Sequence, residues 1–136
     1  MPKLRDYHIL ISHSWTYSGH YDKIEGWLNS ANNFTWSNYS VCCNNPLDTK
    51  TDTELKQALT NRIASCSCIV VVSGMYANYS KWIDYEINEA IRFGKPIIGL
   101  KPWGQERVPS KIFNNAAIMV RWNRDSLISA IRQHAL

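Results

Sequence analysis

Apolar residues follow two rhythms along this chain: short continuous runs, and segments with an apolar residue at every third or fourth position. The runs predict five strands, at residues 7–12, 39–43, 68–72, 96–100 and 117–121. The helical spacing predicts helices between and after them, at about residues 21–31, 51–63, 83–91 and 123–135. Residues 102–115 follow neither rhythm and are predicted to be mainly loop.

The predicted strands are apolar throughout, as residues 68–72 (Cys-Ile-Val-Val-Val) show most clearly. Uninterrupted apolar strands are typical of parallel sheets that carry helices on both faces. The pattern therefore predicts an α/β fold, a five-stranded parallel sheet in a three-layer sandwich with flavodoxin-like strand order. Ligands of such sheets bind at the carboxyl ends of the strands, which directs attention to the segments after Ser12, Cys43, Val72 and Leu100.

Length and composition predict a single domain over residues 1–136. Hydrophobic residues make up 45% of the chain and charged residues 19%, which excludes an intrinsically disordered protein. The net charge of +4 comes from scattered basic residues, so no nucleic-acid partner is expected. No apolar stretch approaches the roughly 20 residues of a membrane span, and no secretion signal is evident. We therefore expect a cytoplasmic protein that does not bind membranes.

Four cysteines, Cys42, Cys43, Cys66 and Cys68, lie in apolar runs. Each pair is spaced too closely for an ordinary disulfide or a zinc half-site, so we expect free thiols in the core and no metal. The sequence also lacks the glycine-rich dinucleotide fingerprint, the lysine-containing phosphate loop and the G-x-S-x-G nucleophile motif. These absences leave the strand ends as the places to search for chemistry.

Hydroxyl groups recur after the first strand, where Ser12, Ser14, Thr16 and Ser18 stand at every second position. Such residues can bind phosphate oxygens together with backbone amides, as in the phosphate loop of flavodoxins. They can equally cap a helix. His13 has no paired Cys, Asp or second His in this segment, and we expect it to be an ordinary loop residue.

The segment after the third strand contains an acidic candidate. The buried line of its helix is predicted to comprise Ile83, Ile87, Ala90 and Ile91. Trp82 and Glu86 lie four residues apart beside that line, which places Glu86 at the edge of the core. A carboxylate held against aromatic surface in a cleft can acquire a shifted pKa and a catalytic role. The alternative is a surface glutamate near Lys or Arg.

Three segments together carry a family likeness. Residues 7–14 (Tyr-His-Ile-Leu-Ile-Ser-His-Ser) join an aromatic and apolar strand to Ser-His-Ser. The helix motif is Ser80-x-Trp82-x-x-x-Glu86, and residues 95–98 (Lys-Pro-Ile-Ile) lead into the next strand. In this order, and over essentially the whole chain, the sequence resembles the Toll/interleukin-1 receptor (TIR) domain superfamily. It is most similar to the bacterial TIR-like proteins of Thoeris antiphage defence.

The resemblance implies an enzyme that cleaves NAD⁺, with Glu86 as the catalytic residue and NAD⁺ as substrate, so that no cofactor is expected. Trp15 and Trp82 would then stack on the nicotinamide or adenine ring. The other residues expected to contact the dinucleotide are Ser12, Ser14, Asn45, Ser73, Met75 and Ser80. Nicotinamide leaves as a neutral molecule, so one carboxylate can stabilise the positive charge that develops on the ribose.

The Thoeris likeness further implies that the product is a signal, either a cyclic ADP-ribose isomer or an ADP-ribose conjugate. The expected partners are NAD⁺, a separate effector protein that binds the signal, a phage-derived trigger and a second copy of the chain. Two departures from the family pattern bear on these expectations. Ile83 stands where the helix motif usually has Cys, and residues 44–48 lack the Arg-Asp-x-x-Pro-Gly pattern of the loop that governs gating and self-association in relatives.

Two other classes of function stay open. One is a non-catalytic TIR-like adaptor that acts by protein association. The other is a flavodoxin-like protein that binds flavin or another nucleotide, or a nucleoside deoxyribosyltransferase of related architecture. Release of nicotinamide by the unmodified protein, and its loss in Glu86→Gln, would separate an enzyme from an adaptor.

Overall fold

Strands and helices alternate along the part of the chain that the structure describes. The computed structural model describes residues 6–12, 18–39, 52–72, 76–101 and 110–136. The strands are β1 (Asp6–Ser12), β2 (Thr35–Asn38), β3 (Cys68–Val72), β4 (Ile97–Lys101) and β5 (Ile118–Arg121). The helices are α1 (Ser18–Ser30), α2 (Asp52–Ser65), α3 (Tyr76–Arg92), α4 (Ser110–Asn115) and α5 (Arg124–His134).

The five strands form one sheet in the order β2-β1-β3-β4-β5, and all neighbouring strands are parallel. This is the flavodoxin-like order. The helices fall into two groups by their mutual contacts, α2–α3–α4 and α1–α5, as expected when helices cover both faces. The predicted three-layer α/β fold is therefore confirmed. The direction of the strand order reverses between β1 and β3, the point where ligands of such sheets bind.

The central strands form the core. Every residue of β3 is buried, and residues 9–11 of β1 are buried with it. Successive side chains of a strand point to opposite faces, so continuous burial means that both faces are covered. Cys66 and Cys68 are buried thiols, as predicted. Cys42 and Cys43 lie outside the described residues.

The second strand lies earlier than predicted. The expected strand covered residues 39–43, whereas β2 comprises Thr35–Asn38. Asn33, with a φ of 54°, turns the chain soon after α1, and the buried Phe34 stacks on Tyr7 with 5.1 Å between ring centroids. This tight turn brings the chain alongside β1 before the more apolar residues are reached. Of the predicted strand 39–43, residue 39 is described and residues 40–43 lie outside the described part.

Helix α4 occupies the end of the segment that was predicted to be loop. Within Ser110–Asn115, Ile112 is completely buried. It packs over Gly99 of β4, where an added Cβ would lie 3.4 Å from the Ile112 side chain and collide with the Met119 sulfur. The loop prediction was wrong here because a six-residue helix is too short to show a helical period. The rest of the segment lies outside the described residues.

Helix α3 is rotated relative to the predicted apolar line. Ile87 and Ala90 are buried as expected, but Ile91 is 52% exposed. Glu86 is buried in its place. At 100° per residue, positions 86, 87 and 90 share the side facing the sheet, whereas position 91 lies at its rim. The Ile83 side chain lies outside the described part of α3.

Helix α5 begins as predicted. The Asn123 Oδ1 accepts a hydrogen bond from the backbone amide of Ser126 at 3.0 Å, which satisfies one of the free amides of the first turn. The buried residues of α5 are Leu127, Ile128, Ala130 and Ile131. Across the described ranges, every helix is too short or too polar to cross a bilayer.

Candidate functional site

Strand β1 ends in a buried serine. Ser12 follows the apolar residues 9–11 as the last residue of the strand, and only 1% of its surface is exposed. It lies at the carboxyl end of β1, beside β3, where the direction of the strand order reverses. A hydroxyl group buried there requires a hydrogen-bond partner.

That partner is a glutamate on α3. Glu86 lies in the second half of the helix, on the side that faces the sheet, and is 5% exposed. The Ser12 hydroxyl donates to Glu86 Oε1 at 2.8 Å, across 74 positions of sequence. The strand end and the helix are therefore joined by one buried polar contact.

Burial makes the charged form of this carboxyl group costly. It raises the pKa of Glu86 from 4.5 to about 8, and the hydrogen bond from Ser12 offsets part of the rise because it favours the carboxylate. Below about pH 8, the carboxyl group of the unliganded protein therefore holds its proton. A positive charge placed beside it would favour ionisation.

A carboxyl group in this setting can donate or accept a proton near neutral pH, bind a sugar hydroxyl, or stabilise a cation. Its low-dielectric surroundings strengthen the last of these interactions. No group of three or more His, Cys, Asp or Glu that could hold a metal ion occurs in the described part of the chain. The described site therefore offers carboxyl and hydroxyl chemistry.

The structure brings two of the predicted site residues together, Ser12 and Glu86. Ser12 was expected to contact ribose or pyrophosphate, and the structure shows its hydroxyl donating to Glu86. Ser80 and Trp82 lie on α3 before Glu86, with side chains outside the described part. Five further predicted residues lie outside the described residues altogether, namely Ser14, Trp15, Asn45, Ser73 and Met75.

A second carboxylate on α3 has a different environment. Glu89 Oε2 accepts from Thr60 Oγ1 at 3.2 Å and lies 3.6 Å from Arg92 Nε. The Thr60 and Tyr85 hydroxyl oxygens are 2.6 Å apart. These contacts tie α2 to α3 and hold the helix that carries Glu86. The described partners of Glu89 thus include a cation, Arg92, whereas the described partner of Glu86 is the Ser12 hydroxyl group.

The sequence analysis missed the contact between Ser12 and Glu86 and placed the glutamate only at the edge of the core. One signal was available. Positions 82, 83, 89 and 90, which flank Glu86 on the helix surface, hold Trp, Ile, Glu and Ala. A surface glutamate commonly has a basic residue three or four positions away, and this one has none, which favours a buried position.

The sequence matches a family model described as "Thoeris protein ThsB, TIR-like domain" over residues 10–107. The matched region spans more than half of the chain and contains both Ser12 and Glu86. No curated protein matches the chain in sequence.

Two solved structures are similar to this fold. A conserved protein from Enterococcus faecalis V583 aligns with a TM-score of 0.67 and 12% identity, covering 95% of this chain and 99% of that one. The Clostridium botulinum CMP N-glycosidase BcmB aligns with a TM-score of 0.57 and 13% identity, covering 93% and 99%. At these identities the likeness concerns the fold alone.

Proposed function

The chain belongs to the ThsB TIR-like family of Thoeris proteins, and on that premise we propose that it cleaves the bond between nicotinamide and ribose in NAD⁺. The observation that carries this proposal is the buried carboxyl group of Glu86 at the end of β1, hydrogen-bonded to Ser12. A buried acidic group is costly for a fold, and the partner of this one among the described residues is a hydroxyl group. Such groups concentrate at functional sites.

Two further features support the proposal. The carboxyl group lies where the strand order reverses, the position at which sheets of this kind bind nucleotides. The fold is also shared with a protein named a CMP N-glycosidase, and the bond between nicotinamide and ribose is likewise N-glycosidic.

The proposed reaction breaks the bond between the nicotinamide nitrogen and C1′ of the ribose. The bonding electron pair leaves with nicotinamide, which departs as a neutral molecule, and positive charge develops on the ribose. The Glu86 carboxylate stabilises that charge. Water then bonds to C1′ and loses a proton to give ADP-ribose, or a ribose hydroxyl or adenine nitrogen of the same molecule bonds to C1′ and a proton is released to give a cyclic ADP-ribose isomer. A separate nucleophile that bonds to C1′ and loses its proton gives an ADP-ribose conjugate.

The charge of the substrate explains how a protonated group becomes the required carboxylate. The nicotinamide ring of NAD⁺ is positively charged, and its arrival beside Glu86 favours the ionised form. The carboxyl proton then passes to solvent as the substrate binds. Ion pairing in the buried site is stronger than in water, which offsets the cost of burying the carboxylate.

The signal that we propose is a cyclic ADP-ribose isomer or an ADP-ribose conjugate, which activates a separate effector protein in antiphage defence. A phage-derived component triggers the activity, and a second copy of the chain takes part through self-association. These assignments follow from membership of the Thoeris family and share one requirement, that NAD⁺ is consumed when the trigger is present.

The test measures nicotinamide release and nucleotide products by mass spectrometry in lysates of cells that express the chain, with and without phage infection. In the infected lysate, Glu86→Gln should reduce nicotinamide release by at least about 100-fold, as expected for loss of a group that stabilises transition-state charge. The mass of the product identifies it as ADP-ribose, as a cyclic ADP-ribose, which has one water less than ADP-ribose, or as a conjugate.

Glu89→Gln is the matched control, because it makes the same change one turn further along α3, at a carboxylate that contacts Thr60 and Arg92. It should leave nicotinamide release within about threefold of the unmodified protein. Unchanged NAD⁺ turnover in Glu86→Gln would contradict the proposal. Absence of NAD⁺ loss in either lysate, with protein association intact, would favour the adaptor.

The fold shared with BcmB favours a second candidate, cleavage of the N-glycosidic bond of a nucleoside monophosphate. The same lysates supplied with CMP test this candidate. Cytosine release that depends on Glu86, without nicotinamide release, would favour it over NAD⁺ cleavage.

A further inference from the structure

The hydrogen bond from Ser12 places the two carboxyl oxygens of Glu86 in different situations. Oε1 accepts the serine hydroxyl at 2.8 Å. Among the described residues, no hydrogen bond to Oε2 is found. With one oxygen held, rotation of the carboxyl group is restricted, and the second oxygen keeps a set direction.

We propose that Ser12 is a positioning residue, which holds Oε1 of Glu86 so that Oε2 faces the ribose of the bound dinucleotide. This inference rests on the proposed function and deepens it. The serine is suited to the role because its backbone is fixed in the sheet, paired with Val71 of β3. Ile87 and Ala90, which share the sheet-facing side of α3 with the glutamate, are buried.

Direct contact between Ser12 and the pyrophosphate is the competing role. A serine hydroxyl has one hydrogen to donate, and here it is donated to Glu86. Pyrophosphate oxygens at neutral pH accept hydrogen bonds, so they would compete with Oε1 for that hydrogen. The observed geometry therefore favours positioning of the glutamate over binding of phosphate.

Within the described part of the chain, burial raises the pKa of Glu86 and the Ser12 hydrogen bond lowers it. Among the described residues of the helices α2 and α3, Lys56 lies over the Tyr85 ring, Arg62 lies over the Tyr39 ring, and Glu89 contacts Thr60 and Arg92. His8 contacts Asp6 at the amino end of β1, the opposite end of the strand from Ser12. In β3, the titratable residue is the buried Cys68. The serine is thus the group whose removal should alter the titration of Glu86.

The kinetic test compares Ser12→Ala with Ser12→Thr, which keeps a hydroxyl group. For Ser12→Ala we expect kcat for NAD⁺ cleavage to fall about tenfold at pH 7, with KM changed by less than about threefold, since hydrogen bonds to charged groups are worth roughly this much. The acid limb of kcat/KM should move up by about one pH unit. Ser12→Thr should recover most of kcat.

Ser37→Ala is the control, because it removes a hydroxyl that also donates to a carboxylate, 2.7 Å from Asp6 on the exposed end of the sheet. It should leave kcat and the pH limb unchanged. A Ser12→Ala variant with raised KM, and with kcat and the pH limb unmoved, would overturn the positioning role and assign the serine to substrate contact.

A second measurement does not depend on activity. In protein labelled with ¹³C at glutamate side chains, the Glu86 carboxyl resonance is identified by its absence from Glu86→Gln, and its titration is followed by NMR. Ser12→Ala should raise the pKa of Glu86 by about one unit; an unchanged pKa would overturn the inference. If Ser12→Ala raised the pKa of Glu86 but NAD⁺ cleavage did not depend on Glu86, the proposed function would be refuted. The hydrogen bond from Ser12 to Glu86 would still be supported.

Discussion

Strand β1 has a hydroxyl–carboxyl contact at each end, and only one of them is buried. At the carboxyl end, Ser12 donates to Glu86 at 2.8 Å, and both residues are at most 5% exposed. At the amino end, Ser37 donates to Asp6 at 2.7 Å, and the Asp6 side chain is 43% exposed. His8 Nε2 lies 3.3 Å from the same Asp6 oxygen. The two hydrogen bonds are nearly equal in length, so burial is the difference between them.

The comparison shows that the surroundings of a carboxyl group, more than its partner, set its chemistry. Water reaches the Asp6 side chain and weakens each of its contacts. Water is excluded from Glu86, where burial raises the pKa to about 8 despite a hydrogen bond of the same kind. Ionisation of the buried group therefore becomes sensitive to any charge that a ligand brings.

The largest effect that would test this comparison is the pH dependence of the proposed NAD⁺ cleavage. Because kcat/KM reports the free enzyme and the pKa of Glu86 is raised to about 8, kcat/KM should increase about tenfold per pH unit below pH 8 and level off above it. The limb of kcat should lie at lower pH, since bound substrate favours the carboxylate. Steady-state kinetics between pH 6 and pH 9 measure both limbs.

The control for this profile is Asp6→Asn, which alters the exposed contact and should leave the shape of the curve unchanged. If kcat/KM were flat between pH 6 and pH 8, the buried carboxyl group would not govern the reaction, and the difference between the two ends of β1 would have no catalytic meaning.

An intermediate effect is expected on stability. Since burial raises the pKa of Glu86 from 4.5 to about 8, the folded state binds the proton more tightly than the unfolded state. The resulting stability is fully present below pH 4.5 and is lost as pH rises through about 8. Glu86→Gln removes this titration, so the variant should gain about 2 kcal/mol relative to the unmodified protein between pH 6 and pH 8.

Urea denaturation at pH 6, 7 and 8 gives this difference in the free energy of unfolding directly. If the difference in the free energy of unfolding between Glu86→Gln and the unmodified protein were the same at all three pH values, burial would not raise the pKa of this carboxyl group. The contrast with the exposed end of β1 would then be wrong.

The smallest effects belong to the exposed end of β1. Asp6→Asn should lower the free energy of unfolding by less than about 1 kcal/mol, and by less still at high salt, because solvent screens the contact with His8. Urea denaturation at low and high ionic strength measures both values. A loss above about 2 kcal/mol would mean that this end of the sheet is as dependent on its polar contact as the buried end.

The elements that could be predicted from the sequence are those with a continuous run of apolar residues or a long helical period. The five apolar residues of β3 form a fully buried strand, and the cap at Asn123 begins α5 as expected. Prediction failed where a local turn or a long-range contact decided the outcome. The turn at Asn33 brought β2 forward to Thr35–Asn38, and Ile112 packs over Gly99 in a helix too short to show a period.

The candidate site divides in the same way. The sequence by itself placed Ser12 and Glu86 among nine candidate site residues, because one ends an apolar strand and the other lies beside an apolar line on a helix, and the family resemblance gave Glu86 the catalytic role. It also determined the layered α/β fold, since apolar runs and helical spacing are local properties of the chain. Only the tertiary structure decided that α3 turns Glu86 inward and sets it 2.8 Å from Ser12. That outcome depends on how a helix rotates against a sheet, which is settled by contacts between residues 74 positions apart and not by the pattern within either segment.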